Sequence, residues 1–159
     1  MAKPSVELID ALRKTAKRVS VKSNYEWKDI GACNCGNLVQ VVTDLNKKEI
    51  SNYGIKKHGD WEMLVRLYKK DSGYKIDDII TEMLNIGFIL DDLVHLENLS
   101  DRKILSRIPE TKFLKRDRKD DVVLYLNTWA DMMEEALYKE IEISEIKEVI
   151  EQPNQPVKV

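Results

Sequence analysis

The chain has 159 residues, enough for one domain whose core folds without covalent staples. It is 43% apolar and 34% charged, an ordinary globular balance, and no apolar run approaches the ~20 residues of a membrane span. A formal net charge of -2 excludes a strongly basic nucleic-acid binder, and two cysteines exclude a disulfide framework.

The opening MAKPSVELIDAL carries neither an apolar signal core nor a small-residue cleavage site, so the expected setting is the cytoplasm with reduced thiols. Ser5, after Pro4, is placed to cap a first helix, along which Val6, Ile9, Leu12, Ala16 and Val19 recur at helical spacing. This stretch is basic: Lys3, Arg13, Lys14, Lys17, Arg18, Lys22 and Lys28 face three acids. SNYEWKD is a polar link. GNLVQVVTDL opens a second helix near Leu38, with Asn34 or Asn37 as cap and Leu38, Val41, Val42 and Leu45 on its apolar face. KKEISNYG predicts a short helix or turn ending at Gly54, and IKKH a loop. Asp60 then caps a helix that turns Trp61, Leu64, Val65 and Tyr68 inward.

After a DSG turn comes an internal match, GYKIDDIITEMLN from Gly73 against GFILDDLVHLENL from Gly87. It predicts one helical element twice, over 73-85 and 87-99. Gly73 and Gly87 are the breaks, and Asp77, Asp78, Asp91 and Asp92 are first-turn acids facing the positive ends of their helices. A single helix running through Gly87 is the competing arrangement; it is disfavoured because glycine inside a helix costs about 1 kcal/mol relative to alanine. NLSDRKILSRIP predicts a short helix capped by Ser100 and stopped by Pro109, and ETKFLKRDRKDD a charged loop. Val122, Val123, Leu126, Trp129, Met133, Ala136 and Leu137 mark the clearest amphipathic helix. Ile141 and Ile143 alternate with Glu140 and Glu142, which predicts a brief extended piece. Ile146, Val149 and Ile150 predict a last helix, and QPNQPVKV a flexible tail. The acids of this last third, Glu134, Glu135, Glu140, Glu142, Glu145, Glu148 and Glu151, balance the basic start.

The expected fold is all-α: a single domain over 1-150, six to eight mostly short helices in an irregular bundle, followed by a flexible tail over 151-159. The core should draw on Ile9, Leu12, Leu38, Val42, Trp61, Leu64, Ile80, Leu84, Phe88, Leu93, Leu126, Trp129 and Met133.

Chemistry concentrates in GACNCGN, which holds the only two cysteines. Gly31 and Gly36 permit unusual backbone angles there, while Asn34 and Asn37 tolerate such angles and offer capping oxygens. None of that calls for a thiol, so the choice of cysteine asks for its own reason. Free N-H groups and the dipole at a helix start favour a thiolate, which makes Cys35 the more reactive of the pair, in a pocket lined by Cys33, Asn34, Asn37, Trp27 and Asp29. Inert packing and metal binding are the other readings. For metal, Cys33, Cys35 and His58 are weak ligands at no usual spacing. In DDLVHLE, Asp91 and Asp92 share a helix face with His95, the carboxylate-histidine spacing of di-iron bundles, but the first copy of the repeat lacks the histidine. His95 is therefore expected to be structural, near a helix end. KFLKRDRK resembles a small phosphate-binding patch diluted by acids. There is no phosphate-binding glycine loop, nucleophile elbow or HExxH.

The sequence thus points to a non-catalytic cytoplasmic helical protein that binds a protein partner or itself, without membrane or nucleic-acid partners. The alternative is a thiol-dependent redox or metal protein using Cys33 and Cys35. No cofactor is implied.

Overall fold

The computed structural model describes residues 1–55 and 59–151. Among them are eight α-helices and no strand: α1 (Val6–Ser20), α2 (Asn34–Thr43), α3 (Lys47–Ile55), α4 (Trp61–Arg66), α5 (Lys75–Asn85), α6 (Leu90–Asn98), α7 (Arg102–Leu105) and α8 (Lys119–Glu151). The architecture is a single all-α domain. Of the loop expected over 55–58, Ile55 closes α3 instead, and of the tail expected over 151–159, Glu151 ends α8; the other residues of both lie outside the described residues.

Local signals set most helix starts. Ser5 is extended, and its Oγ accepts the Leu8 N–H at 3.1 Å. Asp60 does the same for Met63 at 3.0 Å and Asp101 for Lys103 at 2.8 Å. The cap of α7 is thus Asp101 and not Ser100, whose hydroxyl is taken by His95. The helix ends at Leu105, well before Pro109.

α1 and the first half of α8 pack antiparallel, since Arg13 meets Asp131 and Glu134 while Ile9 lies beside Leu137 and Ile141. Between them and α2, α5 and α6 sits one core. Phe88 and Tyr125 meet Trp129 edge-on, with ring centroids at 5.5 and 6.3 Å. Burying an apolar side chain of this kind contributes about 1.5–3 kcal/mol. Eleven of the thirteen expected core residues are buried; Val42 and Leu84 are only half-covered. On α2 the buried stripe runs through Cys35, Leu38 and Val39, and fades at Val42 as the helix reaches the surface. Val6 is exposed.

Gly87 breaks the chain between α5 and α6 as expected, with φ +117, and Gly73 precedes α5 with φ +87. The two helices begin out of step, however. α5 is capped by Tyr74, one residue after its glycine, whereas α6 is capped by Ile89, two residues after. The buried third-position acids are consequently Asp77 and Asp92, which do not correspond in the sequence match. Asp77 accepts the Ser72 hydroxyl at 2.6 Å, and Asp92 accepts the Ile89 N–H at 2.9 Å. The match between the two segments is one of sequence; their helices are not superimposable residue for residue.

The largest departure is α8. Ile141 and Ile143 are helical, not extended, and no separate last helix exists, because α8 continues for 33 residues, about 50 Å. Adding a residue to an existing helix is far easier than nucleating one. The packed half up to Met133 supplies the nucleus, and the alternating Ile-Glu pattern is carried along.

At Gly87 an added Cβ would lie 2.9 Å from the Lys3 carbonyl oxygen, whereas at Gly73 it would meet nothing within 4 Å. Gly87→Ala should therefore destabilise by about 2 kcal/mol and Gly73→Ala by about 1 kcal/mol, from strain at positive φ alone in the second case. Urea denaturation of both variants checks the order; equal losses would remove the steric contribution at Gly87.

Candidate functional site

The turn of GACNCGN is confined to its first residues, Gly31 and Ala32, and the helix begins at Asn34, well ahead of Leu38. Cys33 is the N-cap of α2 and makes no side-chain cap, so Asn34, Cys35 and Gly36 already form its first turn. Neither Gly31 nor Gly36 has a positive φ. Their glycine requirement is close approach. A Cβ on Gly36 would lie 2.5 Å from the Ile30 carbonyl oxygen, and one on Gly31 would run into the Lys47 carbonyl oxygen. The loop before α2 folds flat against the helix start and against α3.

With no side-chain cap of its own, the start of α2 is satisfied from α6. Glu97, in the last turn of α6, places Oε1 2.6 Å from the Cys35 N–H, and the same oxygen accepts the Cys33 thiol at 3.1 Å. Asn34 answers in the other direction. Its amide donates to the carbonyls of Leu96 and Glu97 at 3.1 and 3.2 Å, groups that a helix end leaves without intrahelical partners. Each helix end caps the other, with the positive end of α2 against the negative end of α6. The Cys35 thiol donates to the Leu93 carbonyl at 3.0 Å. Asn34 also reaches the Arg116 carbonyl at 3.0 Å and accepts the Tyr25 hydroxyl at 2.8 Å. Asn37 donates back to the Ala32 and Cys33 carbonyls.

Burial dominates the electrostatics. It raises the Cys33 and Cys35 thiols well above the usual range, and the neighbouring Glu97 carboxylate adds to the effect. Burial likewise raises the Glu97 carboxyl, against the opposing pull of the Cys35 N–H and the two thiols. For Cys35 the upward direction is opposite to the lowered thiol expected at a helix start: burial opposes the thiolate most, and Glu97, bonded to the Cys35 N–H, adds to it. Tyr25 is raised too, again chiefly by burial.

The remaining predicted residues divide. Asp29 holds the loop rather than the thiols: its carboxylate accepts the Gly31 N–H at 2.8 Å and the Ser51 hydroxyl at 2.7 Å, with Lys47 3.3 Å away. Burial pushes this carboxyl up, but those partners outweigh it and the net displacement is downward. Trp27 lines a polar cleft of about 290 Å³ together with Lys28, Asp60, Glu62, Glu97, Asn98 and Arg116. The Arg116 guanidinium lies 5.2 Å from the Trp27 ring centroid and bonds Asn98 at 2.9 Å. One cation of the KFLKRDRK run is thus engaged within the fold. His58 lies outside the described residues. Among the described residues no three His, Cys, Asp or Glu side chains converge as a metal would require. His95 sits in the last turn of α6 with Nδ1 2.8 Å from the Ser100 hydroxyl, while Asp92 turns to its own helix start.

Glu97, Tyr25 and Arg116 were not predicted. Glu97 did carry a signal, because an acid in the last turn of a helix opposes the dipole and asks for a reason outside that helix.

Compared with protein-family models, curated proteins and solved structures, the chain matches none.

Both thiols should resist alkylation in the native protein near neutral pH and react on unfolding; native modification at the rate of a free thiol would contradict the burial. Glu97 is protonated in the folded chain over a range where it ionises in the unfolded one. Stability held below its ordinary value of 4.5 is therefore lost as pH rises through the higher folded value. Glu97→Gln keeps an acceptor for the Cys35 N–H and cannot titrate. All other ionisable groups are common to both proteins and cancel in the comparison. Unfolding free energies measured across this range should drift in favour of the variant as pH rises, and a constant difference would refute the raised carboxyl.

Proposed function

We propose that this chain is a non-catalytic helical interaction protein that engages a protein partner or a second copy of itself through the free half of α8. One observation carries the reading. Every residue from 138 to 151 is exposed, although the segment contains Ile141, Ile143, Ile146, Val149 and Ile150. Five β-branched residues weaken an isolated helix, and a fourteen-residue segment none of whose side chains is buried is marginal in water. An apolar, weakly self-supporting helix that leaves its own bundle is suited to a partner that covers it. No helix among the described residues is long and apolar enough to cross a membrane.

The thiol-dependent alternative is weaker. Both cysteines are buried, and both thiols are engaged by α6. A reducing cytoplasmic setting suits two such thiols. The acidic outer half of α8 argues against nucleic acid as the partner.

A photo-crosslinking amino acid at position 146, introduced in the full chain in cells, should give a discrete protein adduct or a dimer of the chain. The same probe at Lys14, on the outside of α1, should not. No adduct from position 146 would end this reading.

A further inference from the structure

The free half of α8 has a face and a charge, and together they specify its occupant. Ile143, Ile146 and Ile150 follow one another at i, i+3 and i+7, and are 53%, 58% and 66% exposed. This spacing puts them on one side of the helix as a seam of two turns, with Val149 beside it, the pattern by which one helix receives the apolar ridge of another. At its lower end the free half joins a groove of about 370 Å³ between α1 and α8, lined by Val6, Ile9, Leu137, Tyr138 and Ile141 and by Asp10, Arg13 and Glu134. The groove uses the face of α8 that carries Leu137 and Ile141; the seam lies about half a turn round the helix from Ile141 and so faces away from α1.

Helical spacing sets Glu142 and Glu145 along one side of the seam and Glu140 and Glu151 with Lys147 along the other, with Glu148 opposite and Lys139 in line with the seam at its lower end. Between residues 138 and 151 there are five glutamates and two lysines, all exposed. Further down α8 the acids have cations: Asp131 and Glu134 share Arg13 at 3.0 and 2.7 Å, and Glu135 takes Arg107 at 2.6 Å. Among the described residues, Glu140, Glu142, Glu145, Glu148 and Glu151 make no ion pair. A second copy would set one net-acidic helix against another, and like charges across an interface oppose association. A basic partner removes that repulsion and supplies the cations that α1 and the turn after α7 supply lower down.

We propose that the outer half of α8, with the Ile143, Ile146 and Ile150 seam and its glutamate rim, docks a lysine- or arginine-rich amphipathic helix of a partner protein. This rests on the interaction reading above and names the chemistry of the partner. The partner helix lays leucine-like side chains at helical spacing along the seam, and its cations reach the rim from both sides.

The test uses the full chain and three labelled model helices of about 21 residues, long enough to span the free half. One carries a leucine face and lysines elsewhere; the second keeps the leucines and replaces lysine with glutamate; the third keeps the lysines and replaces leucine with alanine. Fluorescence anisotropy should show saturable binding of the first, with the other two weaker by about tenfold or more. Ile146→Asp adds a negative charge, so attraction by charge alone would strengthen binding of the first peptide. A seated apolar face predicts the opposite, a loss of about tenfold. Reversing the rim with Glu142→Lys and Glu145→Lys should move the preference toward the glutamate peptide. These substitutions are at exposed sites, and circular dichroism confirms that the variants fold. Equal binding of the lysine and glutamate peptides, or binding strengthened by Ile146→Asp, overturns the proposal. If no peptide binds but the chain self-associates through Ile146, the proposal fails while the interaction reading stands. If there is no peptide binding, no self-association and no adduct from position 146, both fail.

Discussion

The fold turns on two helix ends that would otherwise be buried with unsatisfied backbone groups. The start of α2 and the end of α6 are inside the protein, where water cannot satisfy the free N–H and C=O groups. Glu97 accepts from the first, Asn34 donates to the second, and neither capping group belongs to the helix it caps. Leaving a buried polar group without a partner costs about 1–3 kcal/mol. The contact is therefore one that the surrounding elements must preserve. Gly87 sends α6 back from α5 at the required angle, Gly31 and Gly36 let the loop before α2 lie flat, and the backbone of Arg116 closes the junction from the far side.

The cysteines belong to this contact. A thiol is small, tolerates burial and is a weak donor, and each thiol here donates to α6, Cys33 to the Glu97 carboxylate and Cys35 to the Leu93 carbonyl. A helix start acidifies a thiol only while its free N–H groups remain available. Here the carboxyl of Glu97 takes that place, and it lies so deep that its own charge is disfavoured. Both thiols of the Cys-x-Cys motif are thus buried in the contact between α2 and α6.

α8 is one helix in two environments. Its first half carries Val122, Tyr125, Leu126, Trp129 and Met133 into the core and forms because it is buried. Its second half has no such support and is helical by continuation. The ion pairs follow the same division: bundle cations reach Asp131, Glu134 and Glu135, and among the described residues no cation pairs with the glutamates beyond. What the bundle leaves uncovered on this helix is therefore both apolar and acidic.

The all-α class, most helix starts and most of the core were legible in the sequence. Ser5 and Asp60 cap what they precede, Gly87 breaks the chain where alanine would strain it, and apolar residues at helical spacing are buried, because each of these signals acts within a few residues. The continuity of α8 was not legible, since the Ile-Glu alternation after Glu140 suits a strand locally and only the packed helix before it decides otherwise. Nor was the junction of α2 and α6. The sequence by itself supplied a Cys-x-Cys pair at the start of a helix, a chemical possibility with several outcomes. Tertiary structure decided the surroundings of that pair, by bringing Glu97, sixty-two residues further along the chain, onto the Cys35 N–H. A helix start offers the same positive potential to a thiolate and to a carboxylate, and which of them it holds depends on contacts that no local pattern encodes.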